Sequence, residues 1–231
     1  SRVIIETTGL ADPAPVAQTF VAEEEISHHF YLDGIITVID AVHGEVQLKA
    51  EHEAAEQVAF ADRILISKTD LVDNNSLESL KTKLRHINVH APIFDINFGK
   101  IDNDIIIGIN SFSLERVLKI EPEFLSDLSH EHDELVRSFV YNSSKPFAVN
   151  LIGSFFQRLV DRFGADLMRY KGILFYEGFE NRVVLQGIHM LMSSDVGEPW
   201  GAEDRCSSIV FIGRELPQAQ LERELDECLV A

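Results

Sequence analysis

Short apolar runs alternate with amphipathic helical stretches over residues 3–97, and that alternation builds a parallel sheet with helices laid on its faces. The runs at 3–5, 35–39, 64–66 and 93–96 are rich in β-branched residues and end at polar residues or turns, as strands buried on both faces do. Asp12 followed by Pro13 starts a helix, the acid accepting from free N–H groups and the proline fitting the first turn. Asn75 and Glu78 read as a capping box ahead of Leu77, Leu80, Leu84 and Ile87, a stripe spaced for one buried helix face. Ser1 and Arg2 lead straight into the first apolar run, and proteins seldom begin inside their core, so the chain is expected to be a piece of a longer protein.

The rhythm breaks after residue 97, where Gly99, Asp102, Asn103 and Asp104 form a loop pattern and Glu121-Pro122-Glu123 ends a short helix. The expected organisation is an α/β domain over residues 1–110, a linker over 111–134 and an α+β domain over 135–231. In the last of these, strands at 136–141, 172–176, 183–186 and 208–212 accompany a helix carrying Leu151, Ile152, Phe155, Phe156, Leu159, Val160 and Phe163, and a final helix over 217–229. This order resembles a split-βαβ, ferredoxin-like arrangement.

The 38 acidic and 20 basic residues leave a formal charge of −18, which would repel nucleic acid and anionic membranes and favours cations or basic proteins as partners. Two cysteines, Cys206 and Cys228, lie apart and form no CxxC, which argues against a disulfide scaffold and fits a reducing cytoplasm. Cys206, just before the last apolar strand, reads as packed rather than reactive, and Cys228 sits on the last helix. No apolar run approaches membrane-spanning length.

The densest chemical signal is Ile64-Leu65-Ile66-Ser67-Lys68-Thr69-Asp70, an apolar strand delivering Lys-x-Asp at its carboxyl end, where open α/β sheets bind ligands. Guanine offers two parallel N–H donors along one edge, and one fixed carboxylate, Asp70, accepts both; adenine lacks that pair and would leave the acid unsatisfied. The methylene stem of Lys68 suits the flat face of a base. By itself the tripeptide also fits a solvated turn. A second segment, Val3-Ile4-Ile5-Glu6-Thr7-Thr8-Gly9, ends a strand in an acid with a glycine three residues on. In phosphate-binding-loop NTPases such an acid, here Glu6, acts on hydrated Mg²⁺, and the glycine N–H, here Gly9, faces the γ-phosphate where a side chain would obstruct approach. Asn97, after Ile93-Phe94-Asp95-Ile96, ends a strand that could present backbone N–H groups to guanine O6.

These segments, with Leu10-Ala11-Asp12-Pro13, Val38-Ile39-Asp40-Ala41, Arg169-Tyr170-Lys171-Gly172 and Val210-Phe211-Ile212-Gly213, resemble the CobW/YjiA family in that order and over nearly the whole chain. The resemblance implies a partial G domain of the SIMIBI class of P-loop NTPases, followed by an α+β CobW C-terminal domain. It also implies GTP hydrolysis coupled to delivery of a transition metal, commonly zinc or cobalt. The family's Walker A loop and its Cys-x-Cys-Cys metal motif, which precede the Glu6 strand, do not occur in this sequence. The 231 residues alone are therefore expected to bind GTP poorly, with no N–H cradle and lysine to neutralise the triphosphate. Ser67 stands where many GTPases have asparagine, and Leu10 where Ras-like enzymes have a water-orienting glutamine, so slow intrinsic turnover is expected.

His130 and His132, within His130-Glu131-His132-Asp133-Glu134, are the candidate metal ligands, since imidazole and carboxylate suit zinc, cobalt or nickel; the same composition describes a solvated acidic linker. Two functions stand side by side. The first is a GTP-dependent metallochaperone using GTP or GDP, Mg²⁺ and Zn²⁺ or Co²⁺, with a metalloprotein client. The second is a non-catalytic acidic module that binds such a client or a second copy of itself.

Overall fold

The structure, a computed structural model, describes residues 2–9, 11–111 and 136–230. Strands β1 (Ile36–Asp40), β2 (Arg63–Ser67) and β3 (Ile93–Asp95) form a parallel sheet in that order. Helices α1 (Ala14–Ala22), α2 (Glu24–Ser27), α3 (Gly44–Ala50), α4 (His52–Phe60), α5 (Asn74–Ile87) and α6 (Asn103–Ile106) fill the connections. The apolar strand residues decide the packing: Ile64 and Ile66 are buried with Phe60 from α4 and Leu80 and Leu84 from α5.

Two local expectations fail. Residues 2–8 pair with no strand, and Val3, Ile4 and Ile5 are exposed, because an apolar run becomes a strand only where a neighbour accepts its ladder and none of the described strands does. Helix α5 begins earlier than Asn75: Asp73 Oδ1 accepts the Ser76 N–H at 2.9 Å, and this cap displaces the Asn75–Glu78 box. At α1, Asp12 Oδ1 accepts from the Ala14 N–H as expected.

The second unit is an antiparallel sheet ordered β4 (Val136–Ser143), β8 (Ser207–Arg214), β5 (Leu167–Leu174), β6 (Asn181–Ile188), β7 (Leu191–Pro199), with α7 (Val149–Phe163) and α8 (Gln218–Asp226). Strand β8 lies between β4 and β5, which are joined through α7, so the split-βαβ core is present; the second helix follows the last strand. The sequence reading missed β7, whose edge position leaves nearly all its residues at the surface and removes the apolar alternation that marks a half-buried strand. Cys206 is exposed, contrary to expectation, while Cys228 is buried under α7 and α8.

Both faces of this sheet are covered. Along β8, Ile209 and Phe211 pack with the helices and Val210 and Ile212 pack into the core of the first unit, so the period-2 alternation separates two cores. A bulge between Leu167 and Arg169 lets Met168 and Arg169 both serve the first unit while Leu167 and Tyr170 serve the helices. Tyr170 lies over Gly187, where an added Cβ would come within 1.9 Å of its ring, so only glycine fits there.

Charge is buried where the units meet. Asp62, 2% exposed, accepts the Ile35 N–H at 2.9 Å and pairs with Lys171 at 2.9 Å and with Arg169, which also donates to the Phe60 carbonyl. Lys171 donates further to Ser111 O at 2.8 Å. Burial alone would raise Asp62, but Arg169 and Lys171 outweigh it and hold the carboxyl well below its usual range. Burial and the neighbouring Arg169 lower Lys171 to about 8 against the pull of Asp62. Ser138 completes the contact, accepting from the Val89 N–H and donating to His86 O.

Candidate functional site

Parallel pairing of β1 with β2 and of β2 with β3 brings three carboxyl ends together, and the candidate nucleotide residues project from them. Ser67 O accepts the Ala41 N–H at 2.9 Å and Ser67 Oγ donates to Ile39 O at 3.0 Å, so the serine, standing where many GTPases have asparagine, ties β2 to β1. The next residue, Lys68, leaves the strand at φ 57 and starts the short turn Thr69–Leu71. A left-handed non-glycine residue costs about 1 kcal/mol, and it persists where surrounding contacts over-determine it. Here they include Lys68 Nζ on Asp40 Oδ2 at 2.6 Å.

Asp40 also accepts the Val42 N–H at 2.8 Å and meets His43 Nδ1 at 3.1 Å. Partial burial would raise its pKa, but the hydrogen bonds from Lys68, His43 and Val42 hold it well below the carboxylate range. The ammonium of Lys68 thereby has a partner at one end, and its half-exposed stem runs between that contact and the backbone. Asp40 stands in the Val38-Ile39-Asp40-Ala41 segment, and the sign of its role in the sequence is an acid at the end of a strand, in register with Ser67.

The structure brings Asp70 and Asn97 together. With its amide oriented to satisfy its neighbours, the Asn97 side-chain nitrogen lies 3.3 Å from Asp70 Oδ1, 3.0 Å from Thr69 Oγ1 and 3.2 Å from Ile96 O, and shares its two N–H donors among these acceptors. The side chain of Asn97 thus lies against the carboxylate, on the strand end whose backbone N–H groups were expected to face guanine O6. Beyond it, Phe98 at φ 52 and Gly99 at φ 68 turn the chain, closed by Lys100 N–H on Asn97 O at 3.1 Å, and Phe98 is 92% exposed. Lys68, Asp70 and Asn97 are all exposed, so the cluster is open to a ligand.

Glu6 and Gly9 lie on a separate segment, and among the described residues no hydrogen bond joins them to Lys68, Asp70 or Asn97. Gln57 of α4 holds this segment, its Nε2 donating to Gly9 O and Ala11 O, both at 3.0 Å. Leu10, His130 and His132 lie outside the described residues. Among the described residues no group of three or more His, Cys, Asp or Glu could hold a metal ion, and no helix is long and apolar enough to cross a membrane.

Comparison with known proteins finds matches to both halves of the chain. Residues 1–95 match the CobW/HypB/UreG nucleotide-binding domain and residues 136–229 the cobalamin synthesis protein cobW C-terminal domain. The chain is 36% identical over 221 residues to the zinc chaperone YjiA of Escherichia coli, covering 95% of this chain and 68% of that one. It is 27% identical over 269 residues to zinc-regulated GTPase metalloprotein activator 1 of Saccharomyces cerevisiae, spanning 62% of its length. Pseudomonas aeruginosa zinc chaperone CobW is 26% identical, with 66% of its length spanned. Among solved structures, Zn(II)-bound YjiA GTPase from E. coli superimposes with a TM-score of 0.84 at 32% identity, over 96% of this chain and 69% of that one.

Proposed function

The chain belongs to the CobW/HypB/UreG family, and from that premise we propose that the whole protein binds and hydrolyses GTP and couples its nucleotide state to delivery of a transition metal, zinc or cobalt, to a metalloprotein client in the cytoplasm. The observation that carries this reading is the contact between Asp70 and Asn97 beside an anchored Lys68, at the carboxyl ends of β2 and β3. Asp70 accepts the two N–H donors of guanine, with Asn97 fixing its orientation and the Lys68 stem against the base. Specificity follows because a base without paired donors leaves Asp70 desolvated and unsatisfied.

The residues present fit the base half of a nucleotide site. Toward the phosphates, Glu6 is the group that would hold a hydrated Mg²⁺, an ion that when bound neutralises the β- and γ-phosphate oxygens. The Gly9 N–H serves the γ-phosphate, in a position with nothing within 4 Å of an added Cβ. The phosphate-cradling loop must come from elsewhere in the whole protein, as no such motif occurs in these 231 residues. Zinc or cobalt is cargo in this scheme; His130 and His132 remain its candidate ligands.

Isothermal titration of the whole protein with GTP, GDP and ATP tests the proposal. Guanine nucleotides are expected to bind and ATP to fail, and Asp70→Asn is expected to cost about 10- to 100-fold in GDP affinity, the worth of charge-assisted hydrogen bonds. Equal affinity for ATP, or none for any nucleotide, would favour the non-catalytic acidic module instead.

A further inference from the structure

We propose that Gln57 is a positioning residue that clamps the segment after Glu6 to helix α4 and, through that helix, couples the segment to the docking of the C-terminal domain. The inference rests on the nucleotide reading above only for what moves the segment. Its own basis is geometric. The carboxamide of Gln57 has two N–H donors and uses them on two carbonyls two residues apart, Gly9 O and Ala11 O, across more than forty residues of chain. A carboxylate of the same shape would offer acceptors only. The residue therefore reports the position of Gly9, the residue assigned to the γ-phosphate.

The same short stretch of chain holds the C-terminal domain. Glu56, immediately before Gln57, pairs with Arg214 at the end of β8. Phe60, the last residue of α4, gives its carbonyl to Arg169, and Asp62 two residues later takes both Arg169 and Lys171. Residues 56 to 62 thus touch the segment at Gly9 and Ala11 on one side and the second domain on the other.

Between these contacts α4 is stiff. The Gln57 carbonyl accepts from Thr37 Oγ1 of β1 at 2.6 Å, and Asn88 Nδ2 donates to the carbonyls of Val58, Ala59 and Ala61 at 2.8, 3.2 and 2.9 Å. Val58, Ala59 and Phe60 are fully buried. A helix held this way shifts as a unit instead of absorbing displacement locally. A displacement of Gly9 that stretches the Gln57 bonds moves α4, and with it Glu56 and Asp62 under the second sheet.

A double-mutant cycle read by hydrogen–deuterium exchange of the nucleotide-free whole protein tests the coupling. Arg169→Met is expected to speed exchange over residues 2–20 about threefold in the wild-type background and to leave it unchanged within about 1.5-fold once Gln57→Glu has been introduced. Additive effects of the two substitutions would overturn the proposal. If Arg169→Met does not fold, as judged by circular dichroism, Arg214→Gln replaces it at the other contact with the same expected outcome. In a second arm, GDP and a non-hydrolysable GTP analogue are expected to give different exchange in β5 of the wild type, and Gln57→Glu to abolish that difference while keeping GDP affinity within about twofold. A β5 difference that survives Gln57→Glu overturns the coupling. Absence of any nucleotide binding overturns the functional reading alone, since the nucleotide-free cycle still decides the role of Gln57.

Discussion

Two ionic clusters sit at opposite ends of β2, and they are built on opposite principles. At the carboxyl end Lys68 meets Asp40 with the lysine side chain 54% exposed, beside an open Asp70–Asn97 pair. At the amino end Asp62 is enclosed with Arg169 and Lys171, each 3% exposed or less. A half-solvated pair contributes little and rearranges at little cost, which suits a site that must admit a base. A buried cluster cannot lose one member without stranding the others, which suits a joint between domains. One strand therefore carries a remodelable end and a fixed end.

The comparison is broken most directly at the fixed end. Asp62→Asn leaves Arg169 and Lys171 buried without their anion and is expected to cost about 3–5 kcal/mol in urea unfolding. A cost under about 1 kcal/mol would mean that the interface is wet and that the two ends do not differ in kind. Next comes Asp70→Asn, whose expected loss of about 1.4–2.7 kcal/mol falls on GDP affinity, with the unfolding midpoint unchanged. A substitution at the open end that instead lowered stability would show that Asp70 braces the fold.

The contrast also has a pH signature. Burial, with the charges of Lys171 and Arg169, lowers His90 from 6.5 to about 3, so the folded protein resists protonating it while the unfolded chain does not. Its contribution is complete above pH 6.5 and is lost as the pH falls from 6.5 toward 3, at no more than about 1.4 kcal/mol per pH unit. His90→Asn is expected to flatten that limb of the stability profile, measured by urea midpoints at pH 7 and pH 5; an unchanged slope would place the ring in solvent. Smallest is Lys68→Gly. Relief of the left-handed backbone is expected to stabilise the fold by about 0.5–1 kcal/mol, offset in part by loss of the exposed pair to Asp40, while guanine affinity falls.

Much of the open end was legible before any coordinates, because Lys68 and Asp70 follow a buried β-branched strand and strand ends are where open sheets bind ligands. Asn97 was picked out for the same reason, as a strand end offering backbone N–H groups, and the structure adds a side-chain contact to Asp70. The fixed end was not legible. Asp62, Arg169 and Lys171 are ordinary charged residues locally, and only the bulge in β5 and the antiparallel placement of β5 beside β8 aim the two cations at the loop before β2. The strand at 3–5 was misread because apolar content predicts burial, whereas a strand also needs a partner.

Apart from β7 and the unpaired run at 3–5, the order of strands and helices, and the identity of the residues at the strand tips, were determined by the sequence alone through local periodicity and turn chemistry. Tertiary structure decided which distant residues meet: Asp40 with Lys68, Asp62 with Arg169 and Lys171, Gln57 with Gly9 and Ala11. Those pairings follow from sheet order and from the packing of the second sheet on the first core. No local pattern encodes these, because the partners are far apart along the chain and each alone is compatible with solvent.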